Sequence, residues 1–215
     1  MIRAHILTNE EVRNPGLIAE HGLSMWIEKD DTKILFDTGQ SFVYSHNAKI
    51  LGIDIASAEC VVLSHGHYDH TGGLSHLIDT EGIPKIYGHP EILLKKLELN
   101  NSAGPYREIG IPGDIADKKW FQDRIVCSKE PLMTGDGIMV SGEIPHYNSF
   151  EDEPTNLYVE RDGQIVPDKM RDEQMLVVED EGELAVFLGC SHPGIISCLM
   201  YAKELFPGKD IKLVV

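Results

Sequence analysis

Short apolar segments alternate with turns and helical segments along the whole chain. Strands are predicted where apolar and polar residues alternate, or where a few apolar residues run together. The first half contains five such segments, at residues 3–7, 23–28, 33–36, 60–63 and 85–87. The second half contains six, at residues 124–127, 138–141, 156–160, 174–179, 184–188 and 211–215.

Helical spacing of apolar residues appears between these strands. It predicts helices over residues 42–51, from residue 74 to 78, over 90–99 and over 194–205. Strands and helices interleave in both halves, which predicts a sheet layer covered by helices, in an α/β or layered α+β arrangement. With no repeat and no linker, residues 1–215 are expected to form a single domain.

Composition and charge exclude several classes of partner for this protein. Of the 215 residues, 42% are hydrophobic and 25% are charged, as in ordinary globular domains. Lys and Arg number 19 against 35 Asp and Glu, a net charge of −16 that disfavours a nucleic-acid partner. No segment approaches the ~20 apolar residues that span a bilayer, and no signal peptide is evident. We therefore expect a cytoplasmic protein with a small-molecule substrate and no membrane partner.

Four metal-ligating residues fall within six positions after the apolar segment that ends at Leu63. They are His65, His67, Asp69 and His70. In extended backbone, residues i and i+2 point the same way, so the first two imidazoles suit one metal ion. A turn into a helix would direct Asp69 and His70 towards a second ion. A solvated histidine loop is the alternative, but adjacent imidazoles without a metal would repel one another when protonated.

This motif, H-x-H-x-D-H after an apolar strand, resembles that of the metallo-β-lactamase-fold hydrolases. Phe36-Asp37-Thr38-Gly39 matches the Asp-x-Gly that ends an upstream strand in that family. The resemblance implies a four-layer αββα sandwich with metal ions at one edge of its sheets. It also implies that Asp37 supports a metal ligand without binding the metal itself.

A narrower resemblance covers residues 63–74, 140–145 and 189–195. These segments are similar to a branch of metal-dependent hydrolases that includes archaeal proteins identified as synthases of a dihydropterin-methyl-ribofuranosyl-aminobenzene phosphate. The resemblance implies a small phosphorylated or pterin-like substrate. His192 follows an apolar strand and precedes a helix, as the first histidine cluster does, so a metal ligand is the favoured interpretation and a helix-capping histidine is the alternative.

The remaining ligands are less clear from the resemblance. Cys190 lies where many family members carry a bridging Asp, so a thiolate ligand is one interpretation and a buried inert thiol is the favoured one. The other cysteines are also expected to be mostly buried thiols. The family usually supplies a final His after the last core strand, and here that residue would lie beyond Val215. Either the chain is truncated, as we expect, or the second metal site lacks one ligand. His89 or His146 would be substitutes, although a helix start and a surface loop are their favoured interpretations.

We interpret the chain as a metal-dependent hydrolase that uses a metal-bound hydroxide on a small ester or phosphoester. One or two divalent ions are expected, Zn²⁺ first and Mn²⁺ or Fe as alternatives. Asp69 would be both ligand and catalytic group. The alternatives are a synthase or transferase with a phosphorylated pterin-like precursor, a degenerate metal-binding module, and an oxygen-reducing diiron protein that would need a flavin domain besides these residues.

The sequence also gives expectations for three further segments. Asp172-Glu173 precedes a strand and could contact the site, although an exposed acidic turn is the favoured interpretation. Residues 150–154 are expected to form a solvated loop. Residues 97–119 are expected to determine substrate specificity. The synthase alternative needs a basic or aromatic pocket, for which the sequence offers four residues: Arg107, Lys118, Lys119 and Trp120.

Overall fold

A computed structural model of the chain describes residues 1–77, 82, 84–99, 105–151 and 154–215. By packing of its Cα atoms, the chain divides into two compact units. Unit 1 comprises Met1–Leu63, Tyr68–Gly88 and Pro112–Val126, and unit 2 comprises Ser64–His67, His89–Ile111 and Cys127–Val215. The single domain over residues 1–215 stays a prediction.

Strands dominate the described part of the chain. The strands are β1 (Ile2–Thr8), β2 (Ser24–Lys29), β3 (Thr32–Phe36), β4 (Cys60–Val62), β5 (Lys85–Gly88), β6 (Lys96–Leu99), β7 (Tyr106–Glu108), β8 (Ile125–Cys127), β9 (Leu132–Gly135), β10 (Ile138–Val140), β11 (Leu157–Arg161), β12 (Gln164–Pro167), β13 (Leu176–Asp180), β14 (Glu183–Phe187) and β15 (Asp210–Val214). The α-helices are α1 (Val43–Leu51), α2 (Tyr68–Thr71), α3 (Gly113–Ala116), α4 (Lys119–Arg124) and α5 (Ile195–Leu205). Short 3₁₀ segments occupy Ile55–Ser57, Gly72–His76 and Pro90–Leu93.

Unit 1 is built on a six-stranded sheet in the order β1-β2-β3-β4-β5-β8. β1, β2 and β3 pair antiparallel, and β4 pairs parallel with both β3 and β5. All three residues of β4 are buried, as expected of a parallel strand covered on both faces. β3 ends at Phe36, and the buried Asp37 that follows has a positive φ of 56°. The carboxylate of Asp37 therefore lies in the interior, at the end of β3.

Unit 2 contains a five-stranded sheet, β15-β14-β13-β10-β9, and a four-stranded sheet, β12-β11-β6-β7. α5 packs its buried face, with Cys198 and Ala202, onto apolar side chains of the first sheet such as Val177 and Val186. The β13–β14 hairpin turns at Glu181, with a φ of 52°, and Gly182, as the acidic Gly-containing turn predicts. β14 leads directly into the segment that carries Cys190 and His192.

The predicted helix over residues 90–99 is wrong. Residues Pro90–Leu93 form a 3₁₀ turn, and Lys96–Leu99 form β6, which pairs antiparallel with β11. The buried Lys96 ammonium bonds two carboxylates that lie far along the chain, so tertiary contacts override the local pattern.

The predicted helix from residue 74 is also wrong where the structure describes it. Gly72–His76 is a 3₁₀ segment, and residue 78 lies outside the described residues. A Cβ on Gly73 would lie 2.0 Å from the Thr38 carbonyl oxygen, so the glycine permits this close approach.

The sequence pattern does not predict three of the strands and two of the short helices. These are β7, β9, β12, α3 and α4.

Helix length in the described residues bears on membrane insertion. Across these residues, no helix is both long enough and apolar enough to cross a membrane.

Candidate metal centre

Two imidazoles of the histidine motif meet in unit 2. His65 and His67 are buried, and Nε2 of His65 lies 3.0 Å from Nδ1 of His67. Their rings cross at 80° with centroids 4.5 Å apart. The i, i+2 spacing in the loop Ser64–His67 thus brings two nitrogen donors to one point, as the spacing predicts.

The loop after β14 adds two more donors in the same unit. The ring of His192 lies 5.1 Å from that of His65 and 5.3 Å from that of His67, centroid to centroid. Ligand atoms of His65, Cys190 and His192 all lie within 4.8 Å of one another. Imidazole nitrogen and thiolate sulfur are the donors that Zn²⁺ and related ions take, so this donor set fits a transition-metal ion.

A buried cluster of one lysine and two aspartates supports the histidine loop from the side of β6. Asp172 accepts a hydrogen bond from the Gly66 backbone at 2.8 Å and another from Lys96 Nζ. Lys96 also donates to Asp168 at 2.8 Å. Burial opposes ionisation of Asp172, but the Lys96 ammonium and the Gly66 N–H together hold the pKa of this carboxyl below its ordinary value. The carboxylate is therefore charged and fixes the backbone between the two imidazoles.

Glu173 joins the two loops that carry donors. Its Oε2 lies 3.6 Å from His65 Nδ1, and its Oε1 accepts a hydrogen bond from the Ser191 backbone at 2.9 Å. The next residue, Gln174, donates its backbone N–H to the Ser64 carbonyl at 2.8 Å. Carboxylates that hold the outer nitrogen of a ligand histidine orient the ring and raise its basicity.

The predicted exposed turn at Asp172-Glu173 is wrong, because both side chains are buried. Sequence spacing gave no sign of this, since the partners Lys96, Gly66 and Ser191 are distant in sequence. The available signal is the position of this acidic pair, two residues before the buried first half of β13.

Unit 1 holds the other two residues of the motif. His70 Nδ1 lies 2.7 Å from the buried Asp37 Oδ2, and His70 Nε2 lies 3.4 Å from Asp69 Oδ2. Thr38 donates to the His70 carbonyl oxygen from its backbone N–H and its hydroxyl, at 2.8 and 3.0 Å. His21, which the motif does not include, places its Nε2 3.5 Å from Asp69 Oδ2. Asp69 is thus flanked by two imidazoles.

The two substitutes suggested for the final ligand lie elsewhere in unit 2. His89 is buried at the start of the 3₁₀ segment and accepts a hydrogen bond from the Glu91 backbone at 3.1 Å. Burial lowers its pKa, against the opposing charges of nearby carboxylates. His146 is exposed and lines a cavity next to Pro193.

The cysteines divide into two pairs. Cys60 and Cys198 are buried, which raises the pKa of each thiol to about 12 and makes both inert at neutral pH. Cys127 and Cys190 are exposed, so the expectation of mostly buried thiols is wrong for these two. Cys190 belongs to the donor set.

The four residues suggested for a synthase pocket lie in different units. Arg107 is in unit 2 and binds Glu98 at 2.7 Å, whereas Lys119 is in unit 1 and binds Asp123 at 2.8 Å. Lys118 and Trp120 flank Lys119 in unit 1. Part of the predicted specificity segment, residues 100–104, lies outside the described residues.

Comparison with known proteins shows the family to which the chain belongs. The profile of the metallo-beta-lactamase superfamily matches residues 17–192. An uncharacterized protein of Methanocaldococcus jannaschii is 32% identical over 90% of this chain and 71% of its own length. The 7,8-dihydropterin-6-methyl-4-(beta-D-ribofuranosyl)-aminobenzene-5'-phosphate synthase of the same organism is 34% identical over 86% of this chain.

A solved structure is similar over the whole chain. The crystal structure of Tm1679, a metal-dependent hydrolase of the beta-lactamase superfamily, shares 32% identity and a TM-score of 0.79, covering 100% of this chain and 75% of Tm1679. The chain spans 65% of the length of the synthase, less than two thirds. These matches confirm the metallo-β-lactamase fold predicted from the histidine motif. The chain belongs to the metallo-beta-lactamase superfamily.

Proposed function

We propose that the chain is a metal-dependent hydrolase that acts on a small ester or phosphoester. One observation carries the proposal: donor atoms of His65, Cys190 and His192 converge within 4.8 Å, and His67 Nδ1 adjoins His65. The proposal is also supported by membership of the superfamily and by similarity to Tm1679.

The residues have separable roles in this proposal. The four donors of unit 2 hold one divalent ion, for which Zn²⁺ is the best match, and Asp69 and His70 of unit 1 contribute to holding a second. A bound ion would polarise the scissile group and activate water. Asp69 Oδ2 is the atom assigned to accept a proton during hydrolysis, since it lies in the motif beside His70 Nε2, at 3.4 Å. Asp37 orients His70, and Glu173 orients His65.

The test is metal content together with turnover. Purified protein is analysed by elemental mass spectrometry and assayed on a panel of phosphoesters, carboxylic esters and lactones, beside His67→Ala, His192→Ala and Asp69→Ala. His5→Ala, at an exposed site on β1, is the matched control. We expect two metal ions per chain in the parent and the control, and loss of metal and of turnover in the site variants. Metal content and turnover that are unchanged in all three site variants would contradict the proposal.

The small-molecule substrate follows from charge. A net charge of −16 opposes close approach of a phosphate backbone, so a small molecule is the proposed substrate and a nucleic acid is not. Adding single-stranded and duplex oligonucleotides to the panel tests whether nucleic acids are also substrates.

A second candidate is a synthase that acts on a phosphorylated pterin-like precursor. It is favoured by the 34% identity to the named synthase over 86% of this chain. The two candidates differ in product. Incubation with a phosphorylated dihydropterin and a ribofuranosyl-aminobenzene phosphate, followed by mass spectrometry, distinguishes them. A coupled product supports the synthase, whereas release of phosphate or alcohol without coupling supports the hydrolase.

A further inference from the structure

His21 lies outside the histidine motif but reaches it within unit 1. It belongs to the connection between β1, which ends at Thr8, and β2, which begins at Ser24. Its Nε2 lies 3.5 Å from Asp69 Oδ2, and its Nδ1 lies 2.7 Å from Glu10 Oε1. The connection therefore places one imidazole between a carboxylate of its own and the carboxylate of the motif.

The backbone on both sides of His21 is fixed close to the motif. Gly22 has a φ of 128°, and a Cβ at this position would lie 2.1 Å from the Asp69 carbonyl oxygen. A glycine is thus required for this close approach. On the other side, Glu20 Oε1 accepts hydrogen bonds from two backbone N–H groups in the loop between β3 and α1, at 3.2 and 3.3 Å. The contact of His21 with Asp69 therefore follows from the way the connection is held.

The hydrogen-bond partners of His21 determine which ring nitrogen is available. A carboxylate accepts hydrogen bonds and cannot donate them, so the neutral ring carries its proton on Nδ1, facing Glu10. Nε2 then directs its lone pair towards Asp69. His70 has the same arrangement, because its Nδ1 lies 2.7 Å from Asp37 Oδ2 and its Nε2 lies 3.4 Å from Asp69 Oδ2. Two ring nitrogens with lone pairs thus flank one carboxylate oxygen.

This arrangement of donors is typical of a metal site. Histidines that bind metal ions almost always donate the other ring N–H to a carboxylate, a carbonyl or a water, as both of these rings do. Bonds of about 2.1 Å from Zn²⁺ to nitrogen or oxygen place two ligand atoms of a tetrahedral ion about 3.4 Å apart. The distances of 3.5 and 3.4 Å from Asp69 Oδ2 to the two nitrogens match this separation.

His21 is also the ligand that can adjust its position. Its side chain is 60% exposed, whereas those of Asp69 and His70 are 12% and 3% exposed. Rotation about the side-chain bonds of His21 moves its ring relative to this fixed pair without disturbing the core. The three side chains can therefore converge on one ion.

We propose that His21 is a ligand of the second metal ion and that Glu10 orients its ring. The inference rests on the proposed function, in which Asp69 and His70 hold this ion, and adds a third protein ligand to it. Imidazole nitrogen and carboxylate oxygen are donors that Zn²⁺, Mn²⁺ and Fe accept. Unit 2 contains the two substitutes that the sequence suggested for a missing ligand, His89 and His146. His21, by contrast, lies in the same unit as Asp69 and His70.

The first test measures metal binding without substrate. Co²⁺ is titrated into the metal-free full chain and followed by calorimetry and visible absorption, for the parent, His21→Ala and His46→Ala. His46 is the matched control, because it is an exposed imidazole of unit 1 that contacts the same connection, with Nε2 3.0 Å from the Gly16 carbonyl oxygen. We expect two ions in the parent and the control. In His21→Ala, the affinity for the first ion should stay within about 2-fold, and that for the second should fall by at least about 100-fold.

The role of Glu10 is tested by a pair of neighbouring substitutions. Glu10→Gln keeps a hydrogen-bond acceptor for His21 but removes the charge, which should weaken binding of the second ion by about 10-fold. Glu11→Gln removes the same charge from the next residue, an exposed side chain whose carboxylate lies 3.9 Å from Arg13. It should leave both affinities unchanged. Equal affinity for the second ion in the two variants would overturn the orienting role of Glu10.

The second test separates a ligand from a neighbouring side chain. Protein with isotopically labelled histidine is loaded with Co²⁺, and the strongly shifted ring resonances are counted by NMR before and after the second equivalent. We expect the second equivalent to shift the rings of His21 and His70, so that His21→Ala shows one shifted ring fewer than His46→Ala. The same number of shifted rings in both variants would overturn the ligand role, even if the affinity falls.

The outcomes separate this inference from the proposed function. Equal affinity for the second ion in His21→Ala and His46→Ala would overturn the inference and leave the hydrolase proposal standing. A parent that binds a single ion would also overturn it, and would leave a hydrolase with one ion. A parent that binds two ions, loses the second in His21→Ala and hydrolyses no ester of the panel would contradict the proposed function and support the inference.

Discussion

The carboxylate of Glu173 lies 3.6 Å from Nδ1 of His65 and also accepts a hydrogen bond from the Ser191 backbone. One buried side chain therefore contacts both loops of unit 2 that carry donor atoms. Ser64 Oγ lies 2.9 Å from the same imidazole nitrogen. Two oxygens are therefore close to Nδ1 of His65, whereas its Nε2 lies near His67. This arrangement fixes which ring nitrogen is turned towards the other donors.

Glu173→Gln is expected to weaken metal binding while the protein stays folded. The amide keeps the shape of the side chain but removes the negative charge beside His65, and such outer contacts are worth about 10–100-fold in metal affinity. The measurement is competition with a chelator of known affinity, together with the visible spectrum of the Co²⁺-loaded protein, which reports the ligand geometry.

The matched control for this prediction is Glu183→Gln, an exposed carboxylate at the start of β14. It should leave both the metal affinity and the spectrum unchanged. Glu173→Gln with parental metal affinity and an unaltered Co²⁺ spectrum would show that the carboxylate acts on loop packing alone.

Lys96→Met is expected to destabilise the fold strongly. The substitution leaves Asp168 and Asp172 buried without the ammonium that neutralises them, and removing one partner of a buried ion pair costs about 3–5 kcal/mol. Chemical denaturation measures the loss. The triple variant Lys96→Met/Asp168→Asn/Asp172→Asn removes all three charges and should recover part of the stability, whereas a triple variant less stable than Lys96→Met would argue against charge burial as the cause.

Local sequence signals account for the predicted part of the fold and site. The apolar run of β4 is buried as predicted, because a strand between two parallel neighbours exposes neither face. The spacing of His65 and His67 brings their nitrogens together, because both lie in one short loop. His192 meets them, as its position after an apolar strand predicts, although its ligand role stays a prediction.

Long-range polar contacts explain what the sequence did not predict. Lys96 appeared to belong to an amphipathic helix, yet it is buried on β6 because two aspartates from a distant loop neutralise it. Glu173 appeared exposed because acidic pairs usually are, and its partners were unknown. The resemblance favours a buried thiol at Cys190, but the loop after β14 leaves this residue exposed near His192. The burial of Lys96 and Glu173 depends on partners that periodicity and propensity cannot locate.

Gly189→Ala is expected to disturb the donor set through a steric clash. A Cβ at this position would lie 2.4 Å from Ser64 Oγ and 2.9 Å from Glu173 Oε1. Overpacking of this kind typically costs about 1–3 kcal/mol, and here it would also push the histidine loop away from Glu173. The melting temperature and the metal content should both fall. Gly113→Ala, where a Cβ meets nothing within 4 Å, is the control.

A second substitution tests whether this clash is with Ser64. Gly189→Ala/Ser64→Gly removes the nearer of the two obstructions and should regain part of the metal content. If the double variant binds no more metal than Gly189→Ala, the loss of metal would come from the contact with Glu173 or from a backbone change, and not from Ser64.

The carboxylate of Glu151 anchors the start of α5 from a distant loop, although residues 150–154 were expected to be simply solvated. Its oxygens accept hydrogen bonds from the Ile196 and Ser197 backbones at 2.7 and 2.9 Å. Partial burial opposes ionisation, but these bonds and those from Asn148 and the Ser197 hydroxyl lower the pKa of Glu151 to about 2 from 4.5. Because the pKa is lower in the folded state, the stabilisation is complete above pH 4.5 and is lost as the pH falls towards 2.

Glu151→Gln should therefore lower the free energy of unfolding at pH 7 by about 1 kcal/mol, as the loss of a helix N-terminal partner does. The difference between parent and variant should shrink below pH 4.5 and be mostly lost by about pH 2, where half of the parent carboxyl is protonated. Urea unfolding at several pH values measures this difference, with the exposed Glu181→Gln as control. A stability difference that is constant from pH 7 to 3 would mean that the loop packs against α5 by shape, without help from the charge.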